Sequence, residues 1–442
     1  MIFDGLEKSQ QSRGSDVILT IDKTIQYIAE KELKKVVETT GSKAGIAIVM
    51  DPNTGEVLAM ANSPTFNANS FWNHRPNDWR NRSITDSYEP GSTFKAFLLA
   101  AALEEGVVRP NDIFYCENGI YRVADRTFHD VKKHGWLSVA NMIKYSSNIC
   151  AIKLGERLGG SRFQQYIDEL GFGKRTGIDL PGEASGVVRR FEDSDVSLAT
   201  ISFGHGISTT AIQLVTGISA IANGGFLMKP YLTKAVASPD GTIIKENNPT
   251  VIKRVFSDET TVMVRNILKG VTQRGGTGEK AALADIEVAG KTGTAQKPDL
   301  INGGYASGKY ISSFLGFAPA DSPRLAVVVL IDEPAGDFYG STVAAPVFRE
   351  IVKQSLAYMG VYPKGNEGGT PRLVALNRRV GDTGVKEGKV PDFRDKSMRM
   401  VLRLANEAKV EVRIVGSGTA VSQVPLPGSE VDPDGVVEVL FQ

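Results

Sequence analysis

The chain has 442 residues, 41% hydrophobic and 23% charged, with 51 basic against 50 acidic side chains and a formal net charge of +1. That length supports a large core and two or three domains, and a balance this even, with no strongly basic stretch, argues against a dedicated nucleic-acid binder. The 46 glycines suit a loop-rich fold of helices and strands, not a disordered chain. No apolar stretch reaches the length of a membrane span, and the start carries no signal-peptide pattern. Cys116 and Cys150 are the only thiols. They permit one disulfide, but free buried thiols are the expected state.

Residues 1–15 are polar and read as a leader or join. Residues 16–21 alternate like a strand, and Asp22 then caps a helix in which Ile25, Ile28, Ala29, Leu33, Val36 and Val37 repeat at helical spacing. Residues 44–50 and 57–61 are strands joined by the turn Asp51-Pro52-Asn53-Thr54-Gly55. Glu89-Pro90-Gly91 breaks the chain just before Ser92-Thr93-Phe94-Lys95 and the apolar run 96–103, which reads as a buried helix. The pattern stays mostly helical to about residue 170, with segments at 137–144 and 149–158, the second closed by Gly159-Gly160. Tyr145-Ser146-Ser147-Asn148 is pinned between them. Residues 171–190 are irregular. Helices follow at 212–222 and 262–271, then a flexible turn at Gly275-Gly276-Thr277-Gly278. Strands at 286–296, 314–318 and 325–331 and a helix at 344–359 close a single α+β domain over residues 16–362.

Residues 363–388 read as a Gly/Pro-rich linker. Residues 389–437 make a small second domain, with a helix through Met398, Val401, Leu402 and Ala405, a strand at 410–415 and a last short strand at 435–439. Glu438-Val439-Leu440-Phe441-Gln442 looks like the remnant of a viral protease site used to remove a tag, so residues 438–442 are expected to stand outside the fold.

Three stretches carry chemistry. Ser92 sits at the head of a helix, where it feels the positive end of the dipole, and Lys95 shares its face one turn on. An amine in that apolar setting loses solvation and becomes able to accept a proton, so Ser92 is a candidate nucleophile and Lys95 its base. Alone, Ser-x-x-Lys is as readily a helix cap, Ser146-Ser147-Asn148 a turn, and Lys291-Thr292-Gly293 a surface cation before a bulge. In this order, and each in its own local setting, they resemble the motif triple of penicillin-binding proteins and class A β-lactamases. The middle motif there reads Ser-Asp-Asn; here its central residue is Ser147. Acyl transfer assigns the parts. Ser146 relays a proton to the departing nitrogen, Asn148 orients Lys95 and the substrate amide, and Lys291 keeps the field positive. Gly293 lets substrate backbone approach the strand edge. The amides of Ser92 and Thr294 supply an oxyanion hole, and the hydroxyls of Thr292 and Thr294 suit a terminal carboxylate.

Most of the first domain resembles the transpeptidase domain of class B penicillin-binding proteins, specifically the septal, cell-division type. Beyond the three motifs, the likeness rests on Arg80-Asn81-Arg82, Glu89-Pro90-Gly91, Ser202-Phe203-Gly204-His205-Gly206 with Gln213-Leu214, and Ala344-Ala345-Pro346-Val347-Phe348. Val390-Pro391-Asp392 and Gln423-Val424-Pro425-Leu426-Pro427-Gly428 make the second domain similar to a PASTA domain. The resemblance implies an antiparallel five-stranded sheet between helices with a mainly helical subdomain. It implies a membrane-anchored enzyme on the periplasmic face of the cytoplasmic membrane, cross-linking stem peptides of peptidoglycan built from a lipid-linked precursor and acylated at Ser92 by β-lactams. A division glycosyltransferase and other division proteins are the implied partners, with no cofactor. Phe3-Asp4-Gly5-Leu6-Glu7 resembles the end of the family's dimerisation pedestal and runs directly into Ser15-Asp16-Val17, as expected of an engineered deletion that also removed the anchor helix.

Rival readings share parts of the constellation. A β-lactamase needs a deacylating base, and no Glu-x-x-Leu-Asn element is present. A D,D-carboxypeptidase differs only in using water as the acceptor. A wall-fragment or β-lactam sensor, or a division scaffold with little turnover, keeps the acylation and drops the catalysis. His129 and His134 are too far apart for one helical metal face, and without His-Glu-x-x-His no metal is expected. His205 reads as a structural or groove residue. Trp72 and Trp79 are candidates for lining the groove or for ordinary surface packing, and Asp332-Glu333 reads as a solvated turn.

Overall fold

The Asp22 carboxylate accepts the backbone N–H groups of Thr24 and Ile25 at 2.8 and 3.0 Å and so starts the helix Lys23–Thr40. Gly41, at φ +58, ends it in the left-handed conformation that glycine adopts without cost. The computed structural model describes residues 14–190, 194–299, 301–361, 389–396, 398–408, 410–416, 419–430 and 436–441. It divides into two units, Met1–Asn366 and Glu367–Gln442. Residues 1–13 of the expected leader (1–15) and the whole expected linker (363–388) lie outside those described.

The first unit is built on a five-stranded antiparallel sheet in the order Ala289–Pro298, Tyr305–Ala318, Leu325–Asp332, Ala44–Met50, Val57–Ser63. Both faces are covered, so the inner strands are apolar almost throughout. All seven residues of Ala44–Met50 are buried. Alternation still sorts the side chains. Ala47, Val49, Val327 and Val329 pack under Lys23–Thr40 and Ala344–Tyr358, while Ile46, Ile48, Val328 and Leu330 face the helical subdomain. At the centre of that subdomain Lys95–Glu104 is buried from Lys95 to Leu103 on every side, as an interior helix must be. Asp332 and Glu333 are not a free turn: their carboxylates hold the Lys297 ammonium at 2.7 and 2.6 Å.

The cysteines correct the expectation of free thiols. Cys116 and Cys150 form a disulfide, their Cα atoms 5.1 Å apart. The segment between them, expected to be mostly helical, first makes short antiparallel pairs: Ile113–Tyr115 with Trp136–Ser138, and Ile120–Val123 with Arg126–His129. These bring Cys116 back against the helix Asn148–Leu158, which carries Cys150.

In the second unit the helix Met398–Ala408 accompanies a three-stranded sheet in the order Glu411–Gly416, Val436–Phe441, Ala420–Val424. Residues 438–441 therefore do not stand outside the fold. Val436–Phe441 is the central strand, with Val437, Val439 and Phe441 buried. Its strict alternation is what a strand with one buried face requires. Gln442, Ser417 and Gly418 lie outside those described.

Candidate active site

The helix bearing Lys95 begins with a 3-10 turn, Gly91–Phe94, and this turn carries Ser92. Gly91 has φ +56, and its N–H donates to Gly204 O at 2.9 Å. A Cβ on Gly204 would lie 2.0 Å from Gly91 O, so glycine is required at that contact. On its other side the turn lies against the edge strand Ala289–Pro298. A Cβ on Gly293 would come within 2.2 Å of Ser313 Oγ, 2.9 Å of Thr93 Cγ2 and 3.1 Å of Pro90 O. Gly293 thus lets the Ser92 turn seat on the strand. The Ser92 hydroxyl is partly exposed and bonds to no group among the described residues.

Lys95 is fully buried and reaches from its helix to the loop between Val139–Tyr145 and Asn148–Leu158. Its Nζ donates to Asn148 Oδ1 at 2.7 Å and Ser146 O at 2.8 Å, with Ser146 Oγ at 3.4 Å. Burial pushes its pKa from 10.5 down to about 7, and the charge of Asp130 pulls the other way. Lys291, also fully buried, donates to the same Ser146 Oγ at 2.8 Å and to Thr292 O at 3.1 Å. Burial first, then the adjacent Lys95, holds Lys291 well below the ordinary lysine range. Ser146 therefore bridges two amines, and Lys291 resists protonation in the presence of Lys95.

Ser146 occupies this place at a backbone cost. It adopts φ +61, ψ +37, a left-handed conformation worth about 1–2 kcal/mol for a residue with a side chain. The helix end explains how it is held: Ser146 N donates to Ile143 O, and Ser147 N to Met142 O at 3.0 Å. Ser147 caps the next helix through Cys150 N at 3.0 Å and donates its own hydroxyl to Asp130 Oδ2 at 2.7 Å. Asp130 Oδ1 accepts the N–H groups of Asn148 and Ile149. Asn148 Nδ2 donates to His129 O at 3.0 Å, which leaves Oδ1 turned to Lys95.

Lys95, Ser146, Asn148 and Lys291 are thus joined in one hydrogen-bonded network, and the turn carrying Ser92 packs on the strand that carries Lys291. Thr292 and Thr294 are placed differently from Lys291. The Thr292 hydroxyl donates to Thr277 Oγ1 at 3.1 Å, and Thr294 Oγ1 accepts Gly340 N at 3.0 Å. Thr294 keeps its own hydroxyl hydrogen uncommitted among the described residues. Beside Ser92, Glu89 accepts Gly206 N at 2.9 Å and Tyr305 OH at 3.1 Å, and His205 Nδ1 lies 2.9 Å from that hydroxyl. His205 is accordingly a buttress of the serine turn. Trp72 and Trp79 are exposed and pack with Phe71 at the surface. Asp130, Thr277 and the Glu89–Tyr305 contact were not found from sequence. Only Asp130 left a trace, in the missing carboxylate at the centre of Ser146-Ser147-Asn148.

The model of the penicillin binding protein transpeptidase domain matches residues 45–353. The chain belongs to the penicillin-binding protein transpeptidase family. Residues 388–442 match the PASTA domain. The "Probable peptidoglycan D,D-transpeptidase PenA" of Neisseria flavescens is 37% identical over 368 residues, 82% of this chain and 88% of that protein. "Stage V sporulation protein D" of Bacillus subtilis is 36% identical over 433 residues, 96% of this chain and 65% of its own length. This chain spans 61% of the length of the PenA proteins of Neisseria meningitidis. Among solved structures, penicillin binding protein 3 of Mycobacterium tuberculosis, complexed with aztreonam, superposes with a TM-score of 0.75 at 33% identity, over 80% of this chain and 81% of that one. The transpeptidase domain of penicillin-binding protein 3 from Burkholderia pseudomallei gives 0.69 at 35% identity, over 78% and 97%. The α+β fold expected from the motifs is the fold of these neighbours.

Proposed function

We propose that this chain is a serine D,D-transpeptidase that cross-links peptidoglycan stem peptides through a Ser92 acyl-enzyme, in septal wall synthesis during division. The observation that carries the reading is the pair of buried amines meeting at the Ser146 hydroxyl beside the serine turn. Near pH 7 Lys95 is half neutral, so it can take the Ser92 proton as Oγ attacks the penultimate carbonyl of D-Ala-D-Ala. The amides of Ser92 and Thr294 bind the oxyanion, an effect worth about 3–4 kcal/mol per donor. The tetrahedral intermediate collapses as the C–N bond breaks, and Ser146, fed by Lys95 and Lys291, delivers a proton to the leaving D-alanine nitrogen. An amine from a second stem peptide then attacks the ester and releases Ser92.

The strand carrying Lys291 to Thr294 is the edge of its sheet, so an extended peptide can pair along it as an added strand. Thr292, Gly293 and Thr294 are the substrate-binding residues of this reading, with the uncommitted hydrogen of Thr294 available to the terminal carboxylate. A β-lactam follows the same first step, but its broken amide stays tethered and occupies the acceptor path. The relatives' names support peptidoglycan as the substrate, and the aztreonam complex supports β-lactam binding. A periplasmic setting, an N-terminal anchor and a partnering division glycosyltransferase complete the proposal. No helix of the described residues is long and apolar enough to cross a membrane.

The test is intact mass after penicillin treatment, with the modified peptide located, followed by assay of D-alanine release with an amine acceptor. An adduct on Ser92 and cross-linked product are expected. An adduct elsewhere removes the mechanism, and trimmed product without cross-link gives the D,D-carboxypeptidase.

A further inference from the structure

Ser146-Ser147-Asn148 has a hydroxyl where the related motif has a carboxylate, and that hydroxyl donates to a carboxylate from elsewhere in the chain, Asp130. We propose that Asp130 is a positioning residue of the active site: it ties down Ser147 and the first turn of Asn148–Leu158, so that Ser146 and Asn148 present their oxygens to Lys95. The inference rests on the catalytic reading above.

Three donors converge on this one side chain: Ser147 Oγ at 2.7 Å on Oδ2, and the N–H groups of Asn148 and Ile149 on Oδ1. All three belong to the start of a helix, where unpaired N–H groups and the dipole favour an anion. Asp130 is itself anchored, its N–H donating to Gly119 O at 3.0 Å. The residue before it fixes the Asn148 amide through His129 O. His129 and Asp130 thus set both the main chain and the side-chain orientation of Asn148, and Asn148 Oδ1 is the shortest contact of the Lys95 amine. On the other side of the motif Ser146 is held left-handed, and any slackening at Ser147 lets that backbone relax away from Lys95. Asp130 does not touch Lys95, yet its charge raises the lysine's affinity for a proton. The titratable groups facing Lys95 are Asp130, from the loop after Arg126–His129, and Lys291, from the edge strand.

The experiment uses the full chain and a fluorescent penicillin, with acylation rates followed across pH and thermal midpoints recorded. Asp130→Asn keeps the shape and removes the charge. Its limiting acylation rate should fall about 10- to 100-fold, the usual consequence of misplacing a catalytic group by about 1 Å. Its acid limb should move to lower pH, because Lys95 loses a charge that favours its protonated form. Asp130→Glu keeps the charge and displaces the oxygens; it should be slowed with the limb in place. A purely structural role would lower both thermal midpoints without moving the limb of Asp130→Asn. That result overturns the proposal, as does an Asp130→Asn rate within about twofold of the parent. Should Asp130→Asn fail to fold, Asp130→Glu decides: a slowed rate supports the proposal and a parental rate overturns it. Absence of any Ser92 adduct in the unmutated chain refutes the catalytic reading, a separate outcome that takes this inference with it.

Discussion

The titration of Lys95 gives the sharpest test of the site. Its amine is fully buried among neutral acceptors, and its pKa falls from 10.5 to about 7. The lowered value means that Lys95 loses its proton above neutrality and regains it as the pH falls. At pH 7 about half the molecules hold the neutral base, whereas at pH 5 about 1% do, so acylation should slow about fiftyfold between those values. An unperturbed lysine would behave otherwise: about one molecule in 3,000 would be neutral at pH 7, and the rate would climb about tenfold per unit through pH 9. The assay is the second-order rate of labelling by a fluorescent penicillin, measured from pH 5 to 10 in the parent and in Lys95→Met. The variant should lose about two to four powers of ten at neutral pH, the range for a general base, and its profile should lose the acid limb. A parent rate that is flat from pH 5 to 7, or still rising tenfold per unit above pH 8, refutes the assignment of Lys95 as the base.

Ser92→Ala should abolish the covalent label while the thermal midpoint stays within about 2 °C, since a partly exposed hydroxyl contributes little to stability; persistent labelling moves the nucleophile elsewhere. Gly293→Ala places a Cβ against Thr93 and Pro90 O, so it should push the Ser92 turn off the strand. The expected cost is about 1–3 kcal/mol of stability, with a clear loss of labelling rate, and a neutral result contradicts the seating contact. Deleting residues 385–442 should leave labelling within about twofold, because the chain divides into separate units. A collapse of the rate shows that the second unit supports the first.

What the sequence disclosed was local. A Pro-Gly break before an uninterrupted run of Ala, Leu and Phe is a helix start in any context, and that placed Ser92 and Lys95 correctly. Lys291-Thr292-Gly293 was legible for the same reason, inside a run of strand residues. Contacts made through space left little or no local mark. Asp130 lies between a short strand and a loop, and only its partners' positions give it meaning. The Cys116–Cys150 bond depends on two hairpins too short for their alternation to stand out. The strand Tyr305–Ala318 begins well before the apolar segment that announced it, because Tyr305 to Tyr310 is largely exposed and carries no alternating apolar face. At the end of the chain two patterns used the same letters. Residues 438–439 read both as the end of a strand and as the start of a cleavage site, and a strand face of Val437, Val439 and Phe441 is what the structure shows.

The arrangement of charge explains how two buried lysines serve one reaction. Among the described residues neither ammonium touches a carboxylate: Lys95 meets a carbonyl, an amide oxygen and a hydroxyl, and Lys291 a hydroxyl and the oxygens of Thr292. Neutral acceptors satisfy an amine's hydrogen bonds without holding its proton as an anion does. Had Asp130 bonded Lys95 directly, the ion pair would keep the amine protonated and remove the base. Placed one residue away, on Ser147 and the helix start, the same carboxylate fixes the geometry and exerts only part of its field. Burial acts on Lys95 in the opposite direction and outweighs that field. In the proposed mechanism a proton arriving from Ser92 would be held firmly enough to leave the nucleophile and loosely enough to pass on through Ser146. That balance requires the carboxylate to be near and out of contact, which is where the fold places it.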